Sequence, residues 1–163
     1  MKTYPNDYLK YWRVIRYYTL SKHNLKQAEL ETLLFLYSEV YFNKQKFLEF
    51  NNITNWDLKR FSFLLKNNWI ERFRNATKKR GAMYRLTDKS RRVILDVYRK
   101  LNGEEIPTSL SSNPMFLKNV SYSDKVYRNM VIEMNTYVKK NRLLKKEENQ
   151  RTTTTSLSDI IVY

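Results

Sequence analysis

Residues 69–90 read WIERFRNATKKRGAMYRLTDKS. Two short runs with alternating apolar residues flank a tip, NATKKRG, in which Lys78, Lys79 and Arg80 stand side by side. Adjacent like charges repel. A tip built this way is tolerable where a polyanion meets it, and phosphate oxygens are natural acceptors for Lys and Arg. Arg72, Arg74 and Arg85 flank the tip, each beside an apolar neighbour. That alternation expects the arginines on a solvated strand face. The plainer reading of Arg72 and Arg85 is a cross-strand pair that keeps the hairpin soluble.

The remaining residues offer little other chemistry. The chain has no cysteine, which excludes disulfides, thiolate zinc sites, thiol catalysis and cysteine-based redox sensing. His23 is the single histidine, which argues against a histidine metal site or a histidine-centred triad. No nucleophile–base pair and no phosphate-cradling glycine loop is visible, so the expectation is a protein that is not an enzyme and needs no cofactor. Glu29, Glu31 and Glu71 read as helix or strand surface. The chain carries 31 Lys+Arg against 16 Asp+Glu, a net charge of +15 over 163 residues. Such an excess favours a polyanionic partner, most often nucleic acid. The excess is clustered: from Glu71 to Lys100 there are 11 Lys/Arg and 3 Asp/Glu. A solvated cationic face is the bland alternative.

The elements that must position these residues follow from periodicity. Tyr8, Tyr11, Trp12, Ile15 and Tyr18 recur at helical spacing after Pro5 and Asn6. Residues 26–40 form a second helix with Leu30, Leu33, Leu34 and Tyr37 as its stripe, broadened by Phe35 and Leu36. Residues 44–50 make a short helix, and Asn51 to Ile53 a turn. Thr54 and Asp57 have capping-box spacing at the start of a helix that runs to Lys66. Asn67 and Asn68 suit the left-handed residue that ends it. Trp69–Arg74 and Ala82–Leu86 are the strands around the basic tip. Thr87 opens a helix over 88–102, with Val93, Ile94, Val97, Tyr98 and Leu101 inward, and Gly103 ends it. Pro107, Pro114 and several Ser/Thr make 103–120 a linker or irregular connection. Ser121 and Asp124 cap a final helix to about Glu147, with Tyr127, Met130, Met134 and Tyr137 on one stripe. The end, NQRTTTTSLSDIIVY, is polar and closes on the apolar patch Ile160 to Tyr163.

A short helix, a turn, a second helix and a two-stranded hairpin define a winged helix-turn-helix. The fold class is therefore mainly α with a small β-hairpin wing, flanked by N- and C-terminal helices that serve dimerisation. The expected organisation is an N-terminal helix (1–25), a winged-helix DNA-binding domain (26–102), a linker (103–120), a C-terminal helix (121–147) and a polar tail with an apolar end (148–163). On the helix over 54–66, Thr54, Asp57, Leu58, Phe61, Leu64 and Leu65 share the core side. Asn55, Trp56, Lys59, Arg60, Phe63 and Lys66 share the other. Asn, Lys and Arg suit base edges and phosphates. Together with Arg74, Lys78, Lys79 and Arg80, the candidate DNA contacts are Asn55, Trp56, Lys59, Arg60 and Lys66. Trp56 and Phe63 fit thymine methyls, packing under another helix, or a protein interface; for Phe63 packing or a protein contact is favoured. Tyr8, Tyr11, Trp12 and Ile15 with Tyr127, Met130, Met134 and Tyr137 need a partner for their apolar stripes. They pack on each other within one chain, form a two-fold dimer interface, or do both, and both is favoured.

The stretch 26–102 resembles the winged-helix domain of MarR-type transcriptional regulators, with PadR-like regulators as near relatives. The resemblance rests on LLKNNWIER at 64–72, the basic wing, and YRLTDKSRRVI at 84–94. Leu64, Asn68, Trp69, Ile70, Leu86 and Thr87 hold the places of the family's helix-ending and wing-ending steps, with Asn68 where the family usually has glycine. The resemblance implies a homodimeric regulator with its recognition helix in the major groove of double-stranded DNA and its wing (75–81) on the backbone or minor groove. Family wings usually carry an Asp-x-Arg element, and RNATKKRG has no acid. The alternative is a phage-encoded or replication-associated interaction protein that contacts protein through Trp56, Phe63 or the tail. The Lys/Asn/Tyr-rich composition suits a low-GC bacterium or its phage. No apolar run approaches the length of a membrane span, and MKTYPNDYLK has no apolar signal core. The expected location is cytoplasmic, or host cytoplasm or virion if phage-encoded, with no membrane partner.

Overall fold

A computed structural model describes residues 8–49 and 58–158. The tail patch Ile160 to Tyr163, the start signals Pro5 and Asn6, and the capping pair Thr54 and Asp57 lie outside the described residues. In chain order the elements are α1 (Tyr8–His23), α2 (Gln27–Leu36), α3 (Lys44–Glu49), α4 (Leu58–Lys66), β1 (Ile70–Arg74), β2 (Met83–Leu86), α5 (Asp88–Leu101), a single 3-10 turn (Pro114–Phe116) and α6 (Tyr122–Ser158). The molecule is mainly helical with one antiparallel hairpin, and the order from α2 to α5 is that of a winged helix. Among the described residues no helix is long and apolar enough to cross a membrane. The chain divides into two compact units. One spans Thr19–Arg99; the other joins the chain up to Tyr18 with the chain from Lys100 onward.

The core of the Thr19–Arg99 unit gathers Leu33 and Leu36 of α2, Phe47 of α3, Phe61 and Leu64 of α4, Ile70, Tyr84 and Leu86 of the hairpin, and Val93 and Ile94 of α5. Aromatic edges meet faces at its centre. Phe61 stands at 79° to Phe47 with centroids 5.0 Å apart, and at 89° to Tyr84 at 4.9 Å. Such T-shaped pairs add to the burial of the rings themselves. The α4 spacing puts Phe61 and Leu64 inward as the stripe requires, with Leu65 packed at the margin.

Helix ends in this unit follow one rule. At the end of α4, Trp69 N–H donates to Leu64 C=O (2.9 Å) and Asn68 N–H to Leu65 C=O (3.3 Å), while Asn68 holds φ 56°. This is the Schellman pattern with asparagine in the left-handed position, and the accompanying apolar contact is Leu64 against Trp69 within the core. Asn24 (φ 51°) ends α1 in the same way, with Leu25 N–H donating to Leu20 C=O. Thr87 opens α5: its Oγ1 accepts from Ser90 N–H (3.3 Å) and donates to Asn68 C=O (2.9 Å). Ser90 Oγ in turn donates to Trp69 C=O, which locks the start of α5 to the end of α4.

Two elements differ from the sequence-based expectation, the first of them for a tertiary reason. Helix α2 stops at Leu36 instead of reaching residue 40. Ser38 Oγ takes the Phe35 carbonyl, and the chain turns out so that Phe42 bridges Tyr84. Both backbone bonds of that bridge form, Phe42 N–H to Tyr84 C=O at 3.0 Å and Tyr84 N–H to Phe42 C=O at 2.8 Å. Helix α6 continues through the Thr-rich segment to Ser158.

In the other unit, rings of α1 and α6 meet. Tyr17 stacks on Tyr127 at 3.8 Å and 9°, Arg13 Nε donates to Tyr127 Oη, and Tyr11 lies 5.7 Å from Tyr137. Ser121 and Asp124 cap α6 reciprocally, and Tyr17 Oη donates to Asp124. The 103–120 segment is an irregular connection tied down by α6. The buried Asn135 amide satisfies both backbone groups of Ile106, and Arg128 holds the carbonyls of Met115 and Leu117.

Two outcomes follow for stability. At φ 56° a β-branched residue is strained, so Asn68→Val should cost about 1–2 kcal/mol, read as a lower urea midpoint. Asn68→Gly should leave the midpoint nearly unchanged; equal losses from both would show that the left-handed turn is not what matters. Burial pushes the half-buried His23 imidazole below its ordinary value, Lys22 and Lys89 act in the same direction, and Asp96 opposes them. Folding thus favours the neutral form of His23 relative to the unfolded chain, which protonates it near pH 6.5. This contribution is intact above about pH 6.5 and is lost as the pH falls toward the lowered folded value. Urea midpoints followed from neutral to mildly acidic pH should fall, and should fall less in His23→Gln; an identical pH dependence in the variant would contradict this.

Candidate nucleic-acid interface

The hairpin has a definite register. Ile70 pairs with Leu86, Glu71 with Arg85 and Arg72 with Tyr84; the register then shifts so that Arg74 faces Met83. The shift leaves Phe73 as the extra residue of a bulge, a feature that bends a strand and re-aims its side chains. Ile70, Leu86 and Tyr84 are buried on the inner face, as the alternation requires. Past Glu71 every residue of β1 is exposed, Arg72 and Arg74 included, and the period of two from Ile70 puts Arg72 on the Tyr84 side and Phe73 on the outer face. Phe73 is 50% exposed, while the Arg72 guanidinium lies 5.9 Å from the centre of the Tyr84 ring. Arg72 and Arg85 are therefore not cross-strand partners. Arg85 pairs with Glu71 instead, Nε to Oε1 at 2.6 Å, and that carboxylate holds the guanidinium above its ordinary value.

The tip closes on itself. Thr77 N–H donates to Arg80 C=O (2.7 Å), Arg80 N–H donates to Thr77 C=O (3.3 Å), and Thr77 Oγ1 accepts from the same Arg80 N–H at 3.1 Å. Lys78 and Lys79 are thus the two residues at the apex of a narrow loop, and both are exposed. Arg72 Nη1 reaches Asn75 Oδ1 at 3.4 Å near the base of the loop. Arg74, Thr77, Lys78, Lys79 and Arg80 line one shallow concavity. The wing needs no acid in its tip, because the Glu71–Arg85 pair and the Thr77–Arg80 loop brace it from below and from within. Backbone bonds hold the three cations together at the far end of the hairpin.

On α4, Lys59 and Lys66 are exposed, Arg60 is half-buried and Phe63 is 39% exposed. Asn55 and Trp56 lie outside the described residues. Lys59 and Lys66 therefore share the outer side of this helix with Phe63, while Phe61 and Leu64 hold it to the hairpin. Of the residues expected at a dimer contact, Ile15 and Met134 are buried within the chain, Tyr11, Trp12, Tyr127 and Met130 are half-buried, and Tyr8 and Tyr137 are exposed.

Sequence reasoning missed one feature of the hairpin. Phe42 adds beside β2 with its ring buried, so the side chain before it, Tyr41, projects to the opposite, outer face. There the Tyr41 and Phe73 rings lie 4.3 Å apart, and the Arg85 guanidinium lies 5.4 Å from the centre of Phe73. Phe73 was the available signal, an aromatic between two arginines. The contribution of Tyr41 depends on a pairing across more than 40 residues of sequence, which no local pattern reveals.

No protein-family model matches the sequence, and no curated protein matches it. Among solved structures the chain is similar to the reduced form of MarR from E. coli, at 19% identity and a TM-score of 0.43, covering 74% of this chain and 84% of that one. It is similar also to a mutant MarR from E. coli complexed with operator DNA, at 18% identity and a TM-score of 0.42, covering 74% of this chain and 81% of that one. At these identities and TM-scores the likeness assigns no function to this chain.

Proposed function

We propose that this chain is a DNA-binding transcriptional regulator of the bacterial cytoplasm, a binding protein and not an enzyme. One observation carries the reading: the hairpin ends in a self-closed loop that presents Lys78, Lys79 and Arg80 with no acid beside them. Phosphate contacts supply most of the affinity of such a surface and no sequence discrimination. In this reading the wing tip lies on the DNA backbone or in the minor groove, and the helix from about residue 54 to Lys66 enters the major groove. Lys59, Lys66 and Arg74 add contacts, and Asn55, Trp56 and Arg60 are the further candidates at the base edges.

The chain acts as a homodimer in this account. Tyr8, Tyr11, Trp12, Tyr127, Met130 and Tyr137 supply the surface, with Ile15 and Met134 supporting it from within. A two-fold dimer places two recognition helices about one turn of DNA apart, ~34 Å, and selects an inverted-repeat site.

Fluorescence anisotropy with random and AT-rich duplex DNA, measured across a salt series, tests the reading. Log affinity should fall linearly with log salt. The triple variant Lys78→Ala/Lys79→Ala/Arg80→Ala should flatten that slope by about 2–3, because each lost phosphate contact removes about 0.9. An unchanged slope and affinity in the variant would overturn the proposal. The search would then move to a protein partner, for which the exposed Phe63 is the remaining feature of α4.

A further inference from the structure

The outer face of the hairpin carries a second arrangement that duplex binding does not use. Tyr41 and Phe73 are 42% and 50% exposed, and their rings lie at 33° to one another, 4.3 Å apart. Arg85, fixed by Glu71, approaches the Phe73 ring, so the guanidinium and both aromatic rings are held in one cluster. The backbone holds it rigidly: the Phe42–Tyr84 bridge fixes the residue after Tyr41, and the β1 bulge fixes Phe73. Beyond Phe73 the same strand runs through Arg74 directly into the cationic tip.

The geometry points to a stacking platform for an unpaired base of a single-stranded nucleic acid, its phosphates running on to Arg74 and the wing tip. This rests on the reading of the tip as a phosphate clamp and extends it to strands whose bases are free. A duplex keeps its base faces stacked within itself and offers none to Tyr41 and Phe73. A protein interface usually covers about 800 Å² on each partner, whereas the paired rings here are two neighbouring side chains, the scale of one base. The charge around it favours a polyanion: Arg72, Arg74, Lys78, Lys79 and Arg80 lie on the same strand and tip, where the one acid, Glu71, is committed to Arg85, while Asp88 acts on Arg85 from the start of α5 and Glu39 precedes Val40. Exposed aromatic rings next to a cationic track are the combination by which single strands are held without sequence preference.

The test compares three labelled probes by anisotropy: an oligothymidylate, an abasic strand of equal length, and a duplex. The full chain should bind the oligothymidylate about tenfold more tightly than the abasic strand, the scale of one stacked base. Tyr41→Ala and Phe73→Ala should each erase most of that difference while duplex binding stays at the level of the unmodified chain. Retained duplex binding also reports that each variant is folded. Tyr41 lies in a loop outside every helix and strand, so its variant decides the matter if Phe73→Ala fails to fold. Equal binding of the oligothymidylate and the abasic strand, or a difference that survives both variants, would overturn the platform and leave the duplex reading standing. The triple variant at the wing tip separates the two readings. Should it keep full affinity for all three probes, the phosphate-clamp reading and the inference that extends it both fail.

Discussion

The Tyr84 ring is the point on which the Thr19–Arg99 unit depends. It is 2% exposed, and its backbone exchanges both hydrogen bonds with Phe42 while its ring takes the edge contact with Phe61. One residue thus ties the hairpin to α4 through its side chain and to the segment before α3 through its main chain. Arg72 lies against the same ring, so the aromatic that anchors the hairpin also sets the position of a cation on it. A hairpin of nine strand residues is at best marginally stable alone. Here its inner face is a wall of the core, and that lets the tip carry like charges at no cost to the strands' own packing.

Much of this was legible in the sequence, where a local rule applied. Phe61 and Leu64 of α4 and Val93, Ile94 and Val97 of α5 follow the helical period and are buried, whereas Tyr98, read on the same stripe, is 43% exposed. Asn68, Gly103 and the Ser121–Asp124 pair mark helix ends for the reasons their side chains and φ angles suggest. The basic tip announced itself through charge alone. What stayed hidden depends on pairings between distant residues. The early end of α2 follows from Phe42 reaching Tyr84, and the outer place of Phe73 follows from the register that turns Ile70 and Arg72 to the Leu86 and Tyr84 side. The segment 103–120 reads as a linker because Pro and Ser dominate it. Its order comes from Asn135 and Arg128, supplied by a helix that begins only afterwards.

The electrostatic arrangement separates two tasks. Glu71 and Arg85 neutralise one another at the base of the hairpin and hold its shape, while the cations at the apex have no carboxylate among their immediate neighbours in sequence. Attraction to a polyanion is concentrated where the loop projects farthest from the strands. A brace of paired charge under the tip is a physical alternative to placing an acid in the tip itself.

Amide hydrogen exchange of the full chain, with and without saturating duplex DNA, reads the engagement of the wing residue by residue. Exchange should slow at residues 75–81 and on the outer side of α4 when DNA is present, with the hairpin strands little changed. Protection that spares the wing tip, or that appears only on α6, would contradict that engagement.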